Sequence, residues 1–322
     1  MKAVYCTKYG SVDNLQFKEI EKPTLKENRL LIKMHAASVN ALDLHLIIAD
    51  IPLVRLMGGL FKPSDPKVGV DLAGVVEAVG SNVTKFKAGD EVFGRGSGSF
   101  AEYATAGETA VALKPASLSF AEAAATPIAA ITALQALRDR AKVQPGQKVL
   151  IQGAGGGVGT FAVQLAKLFG AEVTAVCGAN SIEIAHALGA DHIVDYAAED
   201  ITASSVQFDS IIAINGYHSI HAYRHILSPA GVYVGVGGSK IMRSMLEMMM
   251  AGAPFAGNKK QKIANMMTTP TPADLLYLKD LLEAQKIKPI IDRIYPFSET
   301  IQAIKHMQNG HVHGKIVISM EQ

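Results

Sequence analysis

From the N-terminus to near Ser119, apolar and polar positions alternate in short runs broken by turn residues. Lys2-Ala3-Val4-Tyr5 reads as a strand, and Phe17-Lys18-Glu19-Ile20 alternates. Leu30-Leu31-Ile32-Lys33-Met34 follows a turn signal at Asn28, and Val68 to Val79 is a long β-branched run punctuated by Gly69, Gly74 and Gly80. Glu91-Val92-Phe93-Gly94 and Ala101-Glu102-Tyr103-Ala104 are two further short segments. Such runs, bounded by Gly and Asn, predict an all-β region with little helix.

The rhythm changes near Ser119. Ala121 to Leu137 is rich in Ala and Leu and predicts a helix. Val149-Leu150-Ile151 then precedes a predicted helix over 157–169, and Val173 to Cys177 precedes one over 182–189. Ile193-Val194 leads on to Ile211-Ile212-Ala213-Ile214, and a helix over 218–227 precedes Val232-Tyr233-Val234-Gly235-Val236. Strands alternating with helices imply crossover units and a parallel sheet. The tail predicts helices over 272–285 and 298–309 and a last strand, Lys315 to Ser319. With no internal repeat and no long linker, the domains are expected to be joined tightly.

Composition narrows the class. Of 322 residues, 49% are hydrophobic and 19% charged, enough apolar material for about two domains and too much for a disordered chain. The net charge of +2 comes from interspersed signs, so no basic run marks nucleic acid as the main partner. Lys259-Lys260-Gln261-Lys262 reads as solvated surface. Cys6 and Cys177 are too few and too far apart for a disulfide framework or a cysteine zinc site, which suits a reducing, cytoplasmic setting. The N-terminus lacks the charged-then-apolar order of a signal peptide. Leu44 to Phe61 is interrupted by His45, Asp50, Pro52 and Arg55, so a membrane span is not expected there.

The strongest motif is Gly153-Ala154-Gly155-Gly156-Gly157-Val158-Gly159, set between the strand Val149 to Gln152 and a helix whose apolar face includes Phe161, Val163, Leu165, Ala166 and Leu168. In that position, residues without side chains let the backbone approach a pyrophosphate, and the helix N-terminus presents N–H groups and partial positive charge to it. The glycines fall three apart, at Gly153, Gly156 and Gly159, rather than in strict GxGxxG spacing. An acidic residue for the 2′-hydroxyl of NAD is expected about 20 residues further on. Val176-Cys177-Gly178-Ala179-Asn180-Ser181 holds no acid and no Arg or Lys, so repulsion of a 2′-phosphate is absent but positive recognition of it is missing too.

At these residues the chain resembles the medium-chain dehydrogenase/reductase superfamily, in its zinc-free quinone-oxidoreductase branch. The resemblance runs through Ser38-Val39-Asn40 with Asp43, Gly69-Val70-Asp71-Leu72-Ala73-Gly74, Phe86 to Val92, Pro127 to Leu134, Leu188-Gly189-Ala190-Asp191 and Gly314-Lys315-Ile316-Val317-Ile318. Val173 to Tyr196 and the C-terminal third are similar to chloroplast-envelope quinone oxidoreductase-like enone reductases. The resemblance implies an α/β architecture: a GroES-like β domain from both chain ends (1–122 and 266–322) and a central Rossmann parallel-sheet domain (123–265). It implies cofactor contacts from Gly153, Ala154, Gly156, Gly157, Val158 and Gly159, and from Asn180, Ser181 and Tyr196 around the adenine ribose. Asn215, Gly216, Val236 and Gly237 are expected to line the nicotinamide, with Thr132 and Lys315 approaching the cofactor. Plant members have an Arg where this chain has Asn180.

The zinc ligands of metal-dependent relatives are not here. Ser38 and Asn40 stand in the first ligand segment, Val70-Asp71 stands where those enzymes have His-Glu, and no four-cysteine lobe exists. Asp43 and Asp71 alone make a poor zinc site, and a buried, backbone-bonded carboxylate is the expectation for Asp71. Asn40 and His45 are the candidate catalytic residues, His45 standing where many relatives have Tyr. The methionines between Met242 and Phe255 suit a lid, a subunit contact or plain packing. The expected protein is a homodimeric reductase that uses NADPH, or NADH, to deliver hydride to a quinone or α,β-unsaturated carbonyl. Two rivals stay open: a cofactor-binding interaction or RNA-associated protein with little turnover, and an alcohol dehydrogenase.

Overall fold

A computed structural model describes residues 1–214, 218–237 and 260–320. Asn215, Gly216, Lys259 and the methionine-rich segment from Met242 to Phe255 lie outside the described residues. The chain opens with strands β1 (Lys2–Cys6), β2 (Leu15–Glu19) and β3 (Arg29–Val39), then helices α1 (Ala41–Ile48) and α2 (Pro52–Gly58). Strands β4 (Asp71–Val79), β5 (Glu91–Arg95), β6 (Tyr103–Gly107) and β7 (Val111–Leu113) follow, then α3 (Phe120–Ala124) and α4 (Pro127–Gln135).

Two local expectations are corrected here. The first region carries more helix than the little expected, because Leu44 and Ile47 of α1 turn onto the β core at helical spacing. The single helix expected over Ala121 to Leu137 is divided. Pro127 has no N–H to donate and disfavours helical backbone at Thr126, so α3 ends and α4 begins anew, running on into a π-helical turn at Ala136–Ala141.

The rest of the chain comprises β8 (Lys148–Gln152), α5 (Gly157–Leu168), β9 (Glu172–Cys177), α6 (Ile182–Ala187), β10 (His192–Asp195), β11 (Phe208–Ala213), α7 (Ile220–His225), β12 (Leu227–Gly235) and β13 (Lys262–Asn265), then α8 (Pro272–Glu283), β14 (Ile291–Pro296), α9 (Thr300–Asn309) and β15 (Lys315–Ser319).

Two compact units result. One is Met1–Ala129 with Pro270–Gln322, the other Ala130–Thr269, so both divisions fall a few residues C-terminal to the expected boundaries. In the first unit a seven-stranded sheet runs β14-β15-β3-β4-β5-β7, with β6 also on β3, and β1 pairs with β2 separately. The C-terminal strand β15 is central: Ile316, Val317 and Ile318 are fully buried between β14 and β3. Its register pairs Ile316 with Val39 and Val317 with Ser38, while β4 pairs Asp71 with Ser38. Residues far apart in sequence are thereby set side by side.

The second unit carries a six-stranded sheet, β10-β9-β8-β11-β12-β13, with every pairing parallel. Counted from its own first strand, that order is 3-2-1-4-5-6, the doubly wound arrangement whose order reverses between β8 and β11. Ligands of such sheets bind beyond the carboxyl ends of the strands at that reversal. Leu150, Val176, Ile211, Tyr223 and Tyr233 fill part of its core.

Candidate functional site

The glycine loop leaves the carboxyl end of β8, at the reversal point. Gly153 takes φ +81°, a left-handed conformation that glycine adopts without strain. The N–H groups of Gly153 and Ala154 both donate to Val176 O at 3.0 Å, and Gly156 N donates back to Gly153 O at 3.2 Å. Gly156 is the N-cap of α5 and offers no side chain to its first turn. The amides of Gly157, Val158 and Gly159, which have no preceding carbonyl within the helix, are left for another acceptor. A Cβ on Gly156 would meet only Gly153 O at 3.6 Å, so one side of the loop is open. A Cβ on Gly159 would lie 2.1 Å from Gly153 O and 2.7 Å from Ala154 backbone atoms, so that glycine is required for the helix to sit against the loop. An uncapped helix start with open space beside it fits the pyrophosphate of a dinucleotide.

The other expected cofactor residues divide by environment. The turn after β9 brings Ser181 into the glycine loop, where a Cβ on Gly155 would lie 2.3 Å from its Oγ. Ser181 is buried, whereas Asn180 is exposed. Tyr196, just after the neighbouring strand β10, is exposed, with its hydroxyl close over Gly178. Val236 and Gly237 follow β12, and Val236 N donates to Ala213 O at 2.8 Å, at the end of β11. All these positions follow the carboxyl ends of their strands. Thr132 sits instead within α4, its hydroxyl 2.9 Å from that of Thr268.

Lys315 belongs to the other unit, in a buried cluster with Ser38, Asn40, Asp43 and Asp71. Its ammonium donates to Val39 O at 3.1 Å and to Asn40 Oδ1, and lies 3.8 Å from Asp71 Oδ2. Asp71 Oδ2 accepts from Ser38 Oγ at 3.1 Å and Asn40 Nδ2 at 2.9 Å, and its Oδ1 accepts from Ile128 N at 3.1 Å. Asn40 Nδ2 also reaches Ser38 O at 3.4 Å, so both ends of that amide are engaged inside the protein. Burial opposes charge throughout: it raises Asp71 and lowers Lys315, and their mutual attraction only partly offsets the shift.

His45 lies on the last turn of α1. Its Nδ1 is 3.0 Å from Asp50 Oδ1 and 3.3 Å from Oδ2. The carboxylate assigns the proton to Nδ1 and leaves Nε2 as the ring atom able to meet a substrate. Sequence reasoning used Asp50 only as a break in an apolar run. Its place just beyond the end of α1 was the available signal.

Asp43 supplies a pH dependence. Burial is the main cause, with the Asp71 charge adding to it, that pushes its carboxyl up from 3.8 to about 7, against the hydrogen bond that its Oδ2 accepts from Asn40 N. Its Oδ1 has no hydrogen-bond partner. A carboxyl whose folded pKa is raised binds more protons folded than unfolded, so its contribution to stability falls as pH rises from about 4 through about 7. Urea midpoints should therefore decline from pH 5 to pH 8, and Asp43→Asn should flatten that slope. An identical slope in the variant would remove Asp43 as its source.

Comparisons with known proteins fit this geometry. The chain matches the family model described as alcohol dehydrogenase GroES-like domain over residues 26–116, and that described as zinc-binding dehydrogenase over 188–318. It is 32% identical to a chloroplast envelope quinone oxidoreductase homolog of Arabidopsis thaliana, covering 99% of this chain and 98% of that one. It is 36% identical to a 2-methylene-furan-3-one reductase of Solanum lycopersicum, covering 99% and 79%. The solved quinone oxidoreductase of Coxiella burnetii superimposes with a TM-score of 0.88 at 30% identity, covering 100% and 99%. The second family description implies zinc, and the buried cluster does not fit it. The cluster offers no thiolate or imidazole, the Asp71 oxygens already accept three hydrogen bonds, and an ammonium stands beside them.

Proposed function

This chain belongs to the medium-chain dehydrogenase/reductase superfamily, in its quinone and enone oxidoreductase branch, and we propose that it reduces a quinone or an α,β-unsaturated carbonyl with NAD(P)H, NADPH favoured, without a metal. The observation that carries this is the uncapped, open start of α5 at the reversal point of the sheet. When bound, the nicotinamide supplies the hydride. The amides of Gly157, Val158 and Gly159, with Gly153, Ala154 and Gly156 beside them, hold the pyrophosphate. Asn180, Ser181 and Tyr196 surround the adenine ribose, where the stretch from Val176 to Ser181 sets no carboxylate against a 2′-phosphate. We assign the nicotinamide end to Thr132, Val236 and Gly237, with Asn215 and Gly216. Dinucleotide binding thus falls to Ala130–Thr269, and Lys315, buried in the other unit, holds the Asn40 side chain.

On the substrate, His45 in its doubly protonated form donates a hydrogen bond from Nε2 to the oxygen that gains charge, while its Nδ1–H stays on Asp50, which holds the ring. Hydride addition to an isolated carbonyl localises charge on one oxygen and calls for a Lewis acid or strong donor. An enone or quinone spreads the charge, so one imidazole suffices. The branch's habit and two buried free cysteines lead us to infer a cytoplasmic homodimer. Among the described residues, no helix is long and apolar enough to cross a membrane.

Assays of 2-alkenals, a benzoquinone, acetone and ethanol, each with both cofactors, test this. Alkenals or the quinone should react far faster than acetone, and kcat/KM should be higher with NADPH. His45→Ala should lower kcat modestly, by about a hundredfold or less, at or below the lower edge for losing an acid–base group. Strong ethanol oxidation without enone or quinone reduction would overturn the reaction, and a cofactor ratio at or below one would overturn the NADPH preference. Cofactor binding with no turnover on any substrate would leave a binding protein.

A further inference from the structure

On the first unit, apolar surface is carried far into solvent by α2 and the loop after it. Leu56 is 77% exposed, Leu60 60% and Phe61 84%. Single exposed leucines are ordinary, but these three lie within six residues of chain and their backbone is held in place. Tyr9 Oη donates to Gly58 O at 3.0 Å, and Arg55 Nε donates to Ala49 O at 3.1 Å with its guanidinium 5.3 Å from the Tyr9 ring. Cys6 N donates to Pro66 O at 2.8 Å, tying the far end of the loop to β1.

Leu60 and Phe61 border an open hollow of about 900 Å³ that Lys8, Lys18 and Lys62 also line. No carboxylate lines it, and among the described residues none of these three lysines pairs with one. Lys18 Nζ instead lies 5.8 Å from the centre of the Tyr5 ring. The loop's own acid, Asp65, is engaged with Lys67 at 3.4 Å and with Ser97 at 3.1 Å. The surface therefore offers protruding apolar tips beside uncompensated ammonium groups.

Leu60 and Phe61 border the hollow yet are 60% and 84% exposed, so a small ligand filling it would cover them only in part. What covers them must be fluid enough to wrap them and anionic enough to satisfy the lysines. We propose that this patch docks the protein on the surface of an anionic lipid bilayer. Leu56, Leu60 and Phe61 enter the boundary between head groups and acyl chains, and the lysines meet lipid phosphates. The lysine share of the attraction is screened by salt.

The test is co-sedimentation of the full chain with vesicles of phosphatidylcholine alone or mixed with phosphatidylglycerol. Binding to the mixed vesicles should be tighter by about tenfold or more, and should weaken as salt is raised. Leu56→Ser/Leu60→Ser/Phe61→Ser and Lys8→Glu/Lys18→Glu/Lys62→Glu should each abolish it while keeping the parent's thermal midpoint. Phe61→Ser alone, in a loop, serves where a triple variant fails to fold, and should weaken binding severalfold. Equal binding to both vesicle types, or binding unchanged by these substitutions, overturns the proposal. So does a halved mass of the apolar variant in sedimentation equilibrium, because the patch would then be covered by a second copy of this chain.

Discussion

Gly156→Val is expected to weaken cofactor binding by more than about a hundredfold while leaving the protein folded. The backbone at Gly156 has φ −84° and ψ 177°, which any residue adopts, and its Cβ direction is open. The folded state loses only the preference for Gly over Val at an N-cap, about 1 kcal/mol. The branched side chain fills the space beside the amides of Gly157 and Val158 that we assign to the pyrophosphate. Hydrogen bonds to a charged group contribute about 1.5–3 kcal/mol each, so losing two exceeds a hundredfold in affinity. Gly159→Val is the contrasting change. Its Cβ would press into Gly153 O and the Ala154 backbone, so it should damage folding itself. Titration of NADPH fluorescence, with circular dichroism on the same samples, separates the two. Unchanged affinity in folded Gly156→Val would move the cofactor site elsewhere.

The contrast reflects how much of each site can be read along the chain. The β8–loop–α5 unit is local: an apolar strand, a run of glycines and a helix buried from Gly159 to Ala166 follow one another directly in sequence, and the parallel sheet follows from repeated strand–helix alternation. The short strands β13 and β14 lack that signal, because β13 is a four-residue edge strand and β14 carries Pro296. The helices α1 and α2 were hidden by the polar interruptions at His45, Asp50 and Arg55. The buried cluster was the least legible. Asn40 and Lys315 were singled out separately, but the bond between them depends on the register that sets β15 and β4 on either side of β3. Sequence spacing carries no trace of a contact between residues 40 and 315. The same register brings Ser38, Asn40 and Lys315 to Asp71, which also accepts from Ile128 N of α4.

Lys315→Met should therefore act on a large part of the first unit at once. The methionine roughly preserves the volume but removes the ammonium beside Asp71 and the donor to Asn40 Oδ1. Breaking a buried pair by deleting one partner typically costs about 3–5 kcal/mol, because the remaining charge is left uncompensated. The sign of the pH dependence follows. Without the ammonium, the folded pKa of Asp71, already raised by burial, rises further. Stability present below the unfolded carboxylate pKa is then lost as pH rises toward the higher folded value, and the deficit against the parent should be larger at pH 8 than at pH 5. Asp71→Asn/Lys315→Met removes both charges and should recover part of the loss, chiefly at the higher pH. Urea denaturation of the parent, the two single variants and the double variant at both pH values completes the cycle. A deficit independent of pH, with no recovery in the double variant, would mean that Lys315 stabilises the unit through packing of its stem and that the charge pair contributes nothing.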